Sequence, residues 1–244
     1  MADPQGLAFD PVAEDYDRGR AGWPPELLDG VTADAVLDLG AGTGKLTRLL
    51  VEHYPLVHAV EPLAGMRAAL ERNVPTADVL PGNAERIPLD EGSVDAVFVA
   101  EAFHWFDSKA AVLEIARVLR AHGTLVVSFN EWMEPWQLPE AARAAIEERA
   151  ARVPPAGASK VASGEWKQGF EAAPFEPLEE RSVPHVWETD REGVAAYYVS
   201  ISSIAQLPQA EREALRAELI EVLPDARYPL QLAAKVFTTK RHAR

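Results

Sequence analysis

The sequence of 244 residues predicts an α/β protein built on a doubly wound, mostly parallel sheet. Three observations support this fold class: apolar runs alternate with helical periodicity between residues 35 and 130, a glycine-rich turn follows the first apolar run, and an acidic residue ends the second. Regular alternation of strands and helices is typical of parallel sheets. The length fits one α/β domain, or one such domain with a small cap.

The first strand is predicted over residues 35–39, which are apolar on both faces as a buried central strand requires. After the glycine turn, leucines recur at helical spacing until Pro55, which ends the first helix. The second strand covers residues 57–61, and Pro62 can occupy the first turn of the next helix.

The rest of this alternating region is assigned by the same reasoning. A short third strand, a polar loop, a strong fourth strand, an amphipathic helix and a fifth strand follow in that order. Their predicted ranges are 78–80, 83–92, 94–100, 109–120 and 124–130, with Gly123 as the cap of the helix.

Beyond residue 130 the alternation becomes less regular. An exposed alanine-rich helix, a proline-containing linker, a sixth strand, two helices and a last strand are predicted. Their ranges are 139–153, 154–157, 178–189, 191–207, 209–223 and 230–238.

The composition narrows the classes of function. The formal net charge is −14, from 38 acidic and 24 basic side chains, and such a surface repels nucleic-acid backbones and anionic membranes. There is no cysteine, which excludes disulfides and thiolate metal sites. No secretory signal and no run of about 18 apolar residues is found, so a cytoplasmic protein without a membrane partner is expected.

The glycine turn indicates the kind of ligand. Gly40, Gly42 and Gly44 alternate, but Lys45 stands where a dinucleotide fingerprint needs a small residue. Asp38 precedes the turn and would repel a pyrophosphate, whereas it would attract an ammonium group. Glu61 ends the second strand, where an acid can grip ribose hydroxyls. S-adenosylmethionine satisfies both requirements.

With the turn, the acid at 61 and the segment Gly-Asn-Ala-Glu-Arg-Ile-Pro at 82–88, the chain resembles the class I S-adenosylmethionine-dependent methyltransferases, in particular their type 11 small-molecule branch. Residues 95–107 resemble a subgroup related to trans-aconitate methyltransferases. The resemblance implies a Rossmann-like sheet of seven strands, the last one antiparallel, with a helical cap. It also implies an N-terminal lid (1–30), a cofactor-binding core (31–134) and a C-terminal part that completes the sheet and forms the substrate cap (135–244).

The resemblance also implies the residues that bind the cofactor. They are Tyr16, Asp38, Gly40, Ala41, Gly42, Glu61, Pro62, Met66, Asn83, Ala84 and Glu101. The turn would lie under the methionyl part, Glu61 would accept from both ribose hydroxyls, and Pro62 and Met66 would pack on the adenine. The family usually has Asp at position 83, but the amide oxygen of Asn83 can accept the same hydrogen bond. Tyr16 and Arg20 fall where the family has a lid of the type Tyr-Asp-x-x-Arg.

The acceptor side is less specified by the sequence. His104 follows the fourth strand at the edge where such folds bind ligands, so it is the candidate catalytic residue, as a base or as a positioning group. Alternatively, His104 orients a loop, and the aromatic residues on either side of it only form the wall of the pocket. The predicted substrate residues are Phe103, His104, Trp105, Trp132 and Tyr197. No metal-ligand spacing is found, so no metal is expected.

These observations predict an enzyme that transfers a methyl group from S-adenosylmethionine to a small organic acceptor. O-methylation is favoured because the predicted pocket is aromatic and weakly polar. A nicotinamide oxidoreductase, a nucleic-acid or protein methyltransferase and a non-catalytic cofactor-binding module remain alternatives. The chain is expected to be a monomer or a homodimer that does not bind nucleic acid.

Overall fold

The computed structural model describes residues 9–153 and 158–243. The strands are β1 (Ala35–Leu39), β2 (Leu56–Glu61), β3 (Asp78–Pro81), β4 (Val94–Ala100), β5 (Leu119–Glu134), β6 (Glu179–Asp190) and β7 (Arg227–Lys240). The α-helices are α1 (Ala13–Gly19), α2 (Thr47–His53), α3 (Ala64–Asn73), α4 (Ser108–Val118), α5 (Glu140–Ala150), α6 (Ala158–Ser163), α7 (Arg191–Val199), α8 (Ser202–Ala205) and α9 (Gln209–Val222). Short 3₁₀ helices cover Pro25–Leu28, Phe103–Trp105 and Glu165–Ala172.

The strands form one seven-stranded sheet in the order β3-β2-β1-β4-β5-β7-β6. β1 to β5 are parallel, and β7 lies antiparallel between β5 and β6. The predicted doubly wound α/β fold, with its antiparallel last strand, is therefore confirmed. The strand order reverses between β1 and β4, and sheets of this kind bind ligands outside the carboxyl ends of the strands at such a point.

Packing on both faces of the sheet fixes this edge. β1 is buried at every residue. Leu37 shares a core cluster with Ile115 of α4, and Phe98 shares the cluster on the opposite face with Leu50 of α2. A further apolar cluster joins α5, α7, α8 and α9 to β7 and forms the helical cap. Because their side chains are held from both sides, β1 and β4 are rigid supports for whatever lies at their ends.

β5 and β7 extend furthest beyond their predicted ranges, since they cover 119–134 and 227–240 instead of 124–130 and 230–238. β5 begins at residue 119, so the preceding helix ends at Val118 and Gly123 lies inside the strand instead of capping the helix. β5 begins earlier because its first residues pair with the chain at the end of β7. There the Arg241 N–H donates to the Gly123 carbonyl at 2.9 Å, and the His122 N–H donates to the Arg241 carbonyl. Antiparallel pairing satisfies backbone groups that an isolated sequence pattern leaves unassigned.

Three helical predictions also change. The expected helix over residues 191–207 is broken into α7 and α8, because the Ser200 hydroxyl donates to the Tyr197 carbonyl and the backbone of Ile201 is extended. α5 is not simply exposed, since Ala142 is fully buried in the cap. Pro62 lies before α3 instead of inside it. The predicted linker at 154–157 lies outside the described residues, as do residues 1–8 of the predicted lid.

Candidate active site

A cavity of about 630 Å³ lies at the carboxyl edge of the sheet. It is lined by the ends of β1, β2, β4 and β5, by α1, and by residues from β6, β7 and α7. This volume is within the ordinary range for a small-molecule site, which is about 300–1,000 Å³. The cavity therefore accommodates a nucleoside-sized ligand at the edge where the strand order reverses.

The glycine turn forms the floor of one half of the cavity. Gly40, Gly42 and Gly44 have φ angles of 74°, 56° and 91°, a left-handed region that glycine enters without steric cost. The Gly40 and Ala41 N–H groups donate to the Val60 carbonyl at 2.8 and 3.2 Å, so the turn is fastened to β2. A Cβ on Gly40 would lie 2.6 Å from that of Ala102. The turn is thus packed directly against the chain that leaves β4.

Glu61 fastens the turn from its other side. Its Oε2 accepts from the Gly42 N–H and its Oε1 from the Leu63 N–H, each at 2.9 Å. The residue is only 6% exposed, and burial raises the pKa of its carboxyl above the usual value. The carboxylate is held in place by two backbone donors, and each oxygen retains a lone pair for a ligand.

Asp38 adds a second buried acid. It is 1% exposed, and the Thr47 hydroxyl donates to its Oδ2 at 2.6 Å. Burial, with a smaller contribution from the charge of Glu61, raises the pKa of Asp38 to about 7. A cation placed beside Asp38 would relieve this cost, whereas an anion would increase it.

Helix α1 covers the turn. Tyr16 Cε1 lies 3.9 Å from the position that a Cβ on Gly42 would take. The Arg20 guanidinium lies between two rings, 5.1 Å from the centroid of Tyr16 and 4.6 Å from that of Tyr197, and donates to the Ser200 carbonyl at 3.0 Å. Burial raises the pKa of Tyr16 to about 12, so its hydroxyl stays protonated at neutral pH.

α1 is anchored to both sides of the cavity. Asp17 accepts from the Thr43 hydroxyl at 2.9 Å and from the Arg48 guanidinium at 3.0 Å, which ties it to the glycine turn and α2. Arg18 forms an ion pair with Asp190 at 2.6 Å, at the start of α7 in the cap.

The residues after β2 and β3 line the end of the cavity beyond the turn. Pro62 and Met66 line it as expected, and so does Asn83, whose Oδ1 accepts from the Arg86 N–H at 2.9 Å. Ala84 does not line the cavity, because its side chain is packed in the core beside α4 and is only 2% exposed. The expected contact through Ala84 is therefore not supported.

The opposite half of the cavity is aromatic. His104, Trp105, Trp132 and Tyr197 line it, with Trp132 and Tyr197 centroids 5.1 Å apart. The His104 ring is buried against Trp105 and Phe129, with centroids 4.7 and 5.9 Å away.

The assignment of Phe103 to the substrate wall needs correction. Its side chain is fully buried and packs on Phe106, Trp166 and Phe170, with centroids 5.4 to 5.6 Å away, so it does not line this cavity. The short 3₁₀ helix that begins at Phe103 directs this first ring into the core and the next two residues toward the cavity.

Glu101 is a further acid that lines the cavity. Its φ of 53° is unusual for a residue with a side chain. Its N–H donates to the Ser128 carbonyl at 2.9 Å, and its Oε1 accepts from the Asn130 N–H at 2.6 Å. Burial raises the pKa of the Glu101 carboxyl, and the charge of Arg20 partly offsets that rise.

The cavity also contains residues that were not expected there. Trp187 on β6 faces Leu230 on β7 in the strand register, and both line the cavity with Leu232, Phe129, Asn130 and Phe9. The alternation of apolar residues along β7 could have predicted that Leu230 and Leu232 lie on one face of that strand. The pairing with β6 was not readable from the sequence.

Within residues 9–153 and 158–243, no helix has both the length and the apolar character needed to cross a membrane. The same described residues contain no group of three or more histidine, cysteine or acidic side chains placed to hold a metal ion.

Comparison with known proteins identifies the family. A family model for a methyltransferase domain matches residues 37–127, which span β1 to β5. An uncharacterised methyltransferase of Schizosaccharomyces pombe is 31% identical over 236 residues, covering 89% of this chain and 88% of the relative. An uncharacterised methyltransferase of Mycobacterium tuberculosis is 49% identical over 127 residues, covering 51% of this chain and about half of the relative's length, 52%.

Among solved structures, one from Anaeromyxobacter dehalogenans, described as a type II methyltransferase, has a TM-score of 0.62 at 21% identity. The similarity covers 92% of this chain and 98% of that one, and it shows that the fold is shared. With the sequence relatives, the matched domain and the sheet order in agreement, the chain belongs to the class I S-adenosylmethionine-dependent methyltransferases.

Proposed function

We propose that this methyltransferase uses S-adenosylmethionine as its donor and methylates a small organic acceptor on oxygen. The observation that carries the donor assignment is the pair of buried acids around the glycine turn: Glu61, held by Gly42 and Leu63, and Asp38, whose pKa is raised to about 7. Buried carboxylates at a backbone cradle favour a ligand with hydroxyl donors and a positive charge.

Each part of this donor has a group of lining residues that suits it. Glu61 would accept the ribose hydroxyls, and the side chains of Pro62, Met66 and Asn83 would surround the adenine. Asp38 would lie toward the ammonium group. Tyr16 and Arg20 supply a hydroxyl and a guanidinium above the turn for the methionine carboxylate.

A nicotinamide dinucleotide fits this lining less well. Its pyrophosphate would meet Asp38 in a buried environment, where like charges repel strongly. Lys45 does not offset this, because its ammonium lies 3.9 Å from Asp17 of the lid, and burial lowers its pKa.

The chemistry requires little of the protein beyond alignment. S-adenosylmethionine supplies a methyl group that is already activated by the positive sulfur. The chain's own residues hold the acceptor in line and exclude water, for which the aromatic walls at Trp105, Trp132 and Tyr197 are suited. His104 would belong to this wall as a positioning group. The net charge of −14 supports a small acceptor over a nucleic acid.

Calorimetry tests the donor assignment. Wild-type protein is titrated with S-adenosylhomocysteine and, separately, with NADH; binding of the first only is expected. Glu61→Gln should weaken S-adenosylhomocysteine binding by about tenfold or more, because an amide cannot accept from both backbone donors and ribose. Glu52→Gln, an exposed change on α2, is the matched control. Binding of NADH alone would overturn the assignment.

The acceptor class is tested with methyl-labelled donor and a small-molecule extract. Label is expected in the low-molecular-weight fraction, in a product that is stable to mild base and acid, as an ether is. Label found only in RNA or protein would refute a small acceptor, and label on carbon or nitrogen would refute O-methylation.

A further inference from the structure

Glu101 stands out by its backbone. It follows the last residue of β4, at the switch point of the sheet, and adopts a left-handed φ of 53°. Among the described non-glycine residues, His122 on β5 shares this feature, but it lies outside the cavity lining. A strained residue that persists inside a ligand cavity is a sign of a functional constraint.

The strain determines where the carboxylate lies. The Glu101 Oε1 accepts from the Asn130 N–H on β5 at 2.6 Å, so the side chain leans from β4 toward β5 and away from β1. The next residue, Ala102, packs against Gly40 on the other side. Glu101 therefore faces the acceptor half of the cavity, at its boundary with the donor half.

This carboxylate has no ion-pair partner in the part of the chain that the structure describes. Among the side chains that the structure describes in residues 9–153 and 161–243, no lysine, arginine or histidine forms an ion pair with it, although the charge of Arg20 acts on it at longer range. Its own charge adds to the rise in the pKa of Tyr16 and of Tyr197 that burial causes. The hydrogen bond from the Asn130 N–H uses Oε1, which leaves Oε2 able to accept a proton.

The walls around Glu101 indicate the shape of its partner. Phe129, Trp132, Trp187 and Tyr197 contribute flat rings, and Leu230 and Leu232 add aliphatic surface. Such a lining favours a flat, apolar ligand, and one central carboxylate without a paired cation favours a single hydrogen-bond donor on that ligand.

We propose that Glu101 is the catalytic base of the methyl transfer and that the acceptor is a flat, largely apolar molecule with a phenolic hydroxyl. This assignment rests on the proposed function and replaces the expected contact of Glu101 with the donor. The acceptor oxygen forms a bond to the methyl carbon as the carbon–sulfur bond breaks, and the electron pair of that bond stays on the sulfur, which becomes a neutral thioether. The hydroxyl proton passes to Glu101 Oε2 and from there to water.

The test separates this inference from the donor assignment by two measurements. S-adenosylhomocysteine binding is measured first. The resulting complex is then titrated with hydroxyarenes of one to three rings, each compared with its own methyl ether, and the binding is read by tryptophan fluorescence. A hydrogen bond to a buried carboxylate should make at least one hydroxyarene bind about tenfold or more tightly than its ether.

The variant Glu101→Gln should abolish this preference and lower kcat by about 10²-fold or more, while S-adenosylhomocysteine binding stays within about twofold. The matched control is Glu134→Gln, which changes an exposed acid at the end of β5. If wild-type protein fails to bind S-adenosylhomocysteine, the proposed function fails and this inference with it. If that product binds but hydroxyarenes fail to bind, or bind no better than their ethers, or the variant keeps its kcat, Glu101 is not the base and the donor assignment stands.

Discussion

Substituting Gly40 by alanine tests the packing of the glycine turn against the chain that leaves β4. Two separate costs are expected. The left-handed φ of 74° disfavours any residue with a Cβ by about 1–2 kcal/mol. The new Cβ would also lie 2.6 Å from that of Ala102, and overpacking of this kind costs about 1–3 kcal/mol.

Two other glycines supply matched controls with the same backbone cost. Gly30 has a φ of 81° and nothing within 4 Å of the new Cβ. Gly42 has a φ of 56°, and its nearest neighbour is Tyr16 at 3.9 Å. Gly30→Ala and Gly42→Ala should therefore each cost about 1–2 kcal/mol, whereas Gly40→Ala should cost about 3 kcal/mol and lower Tm by roughly 6–12 °C.

The assay combines urea unfolding with S-adenosylhomocysteine calorimetry on the same preparations. Because Gly40 lies in the turn that lines the cavity, a shift of the turn that relieves this clash should also weaken binding by about tenfold or more, whereas Gly30→Ala should leave affinity unchanged. Equal free energies of unfolding for Gly40→Ala and Gly30→Ala would refute the close packing of the turn on the chain after β4. A stable Gly40→Ala protein with normal affinity would refute it as well.

Further predictions address the buried acid, the lid and the histidine. The folded-state pKa of Asp38, about 7, lies above its ordinary value, so folding stability should fall as pH rises from about 4 to 7, by about 1.4 kcal/mol per pH unit. Asp38→Asn, which keeps an acceptor for Thr47, should lose this fall in urea unfolding. Identical pH profiles for the variant and the wild-type protein would contradict the assignment of this pKa to Asp38. Asp17→Asn should speed S-adenosylhomocysteine dissociation a few-fold in stopped flow, because Thr43 loses its charged acceptor, and an unchanged rate would mean that α1 does not restrain the ligand. His104→Gln should lower kcat by less than about tenfold, since a lost base would cost about 10²–10⁴, and a larger loss would move the catalytic role from the acid to the histidine.

The position of the residues around the glycine turn was largely predictable because their sequence signals are local. β1 has the predicted bounds 35–39, and Asp38 and Glu61 lie at strand ends that the apolar runs define. Parallel strands end at a common edge, so acids that end two such strands must lie near each other. The positive φ angles of the glycines also follow from their spacing in a tight turn.

The aromatic half of the cavity depends on contacts between distant parts of the chain. Arg20 meets Tyr197, and Trp187 meets Leu230, only because α1 and β6 pack where they do. Phe103 was misassigned because a 3₁₀ helix of three residues is too short to show a periodicity that distinguishes core from cavity. The left-handed backbone of Glu101 has no sequence signal at all.

The acids at the ends of β1, β2 and β4 make the site a place where stability and binding oppose each other. Asp38, Glu61 and Glu101 all have a pKa raised mainly by burial. In the protein without ligand, the charged form of each carboxylate is therefore destabilised by its surroundings. A ligand with a positive charge and several hydroxyl donors relieves that cost at Asp38 and Glu61. It leaves Glu101, which leans toward β5, free to receive a proton. The division of roles that we propose for the three acids thus follows from the strand end near which each one lies and from the direction in which its side chain is held.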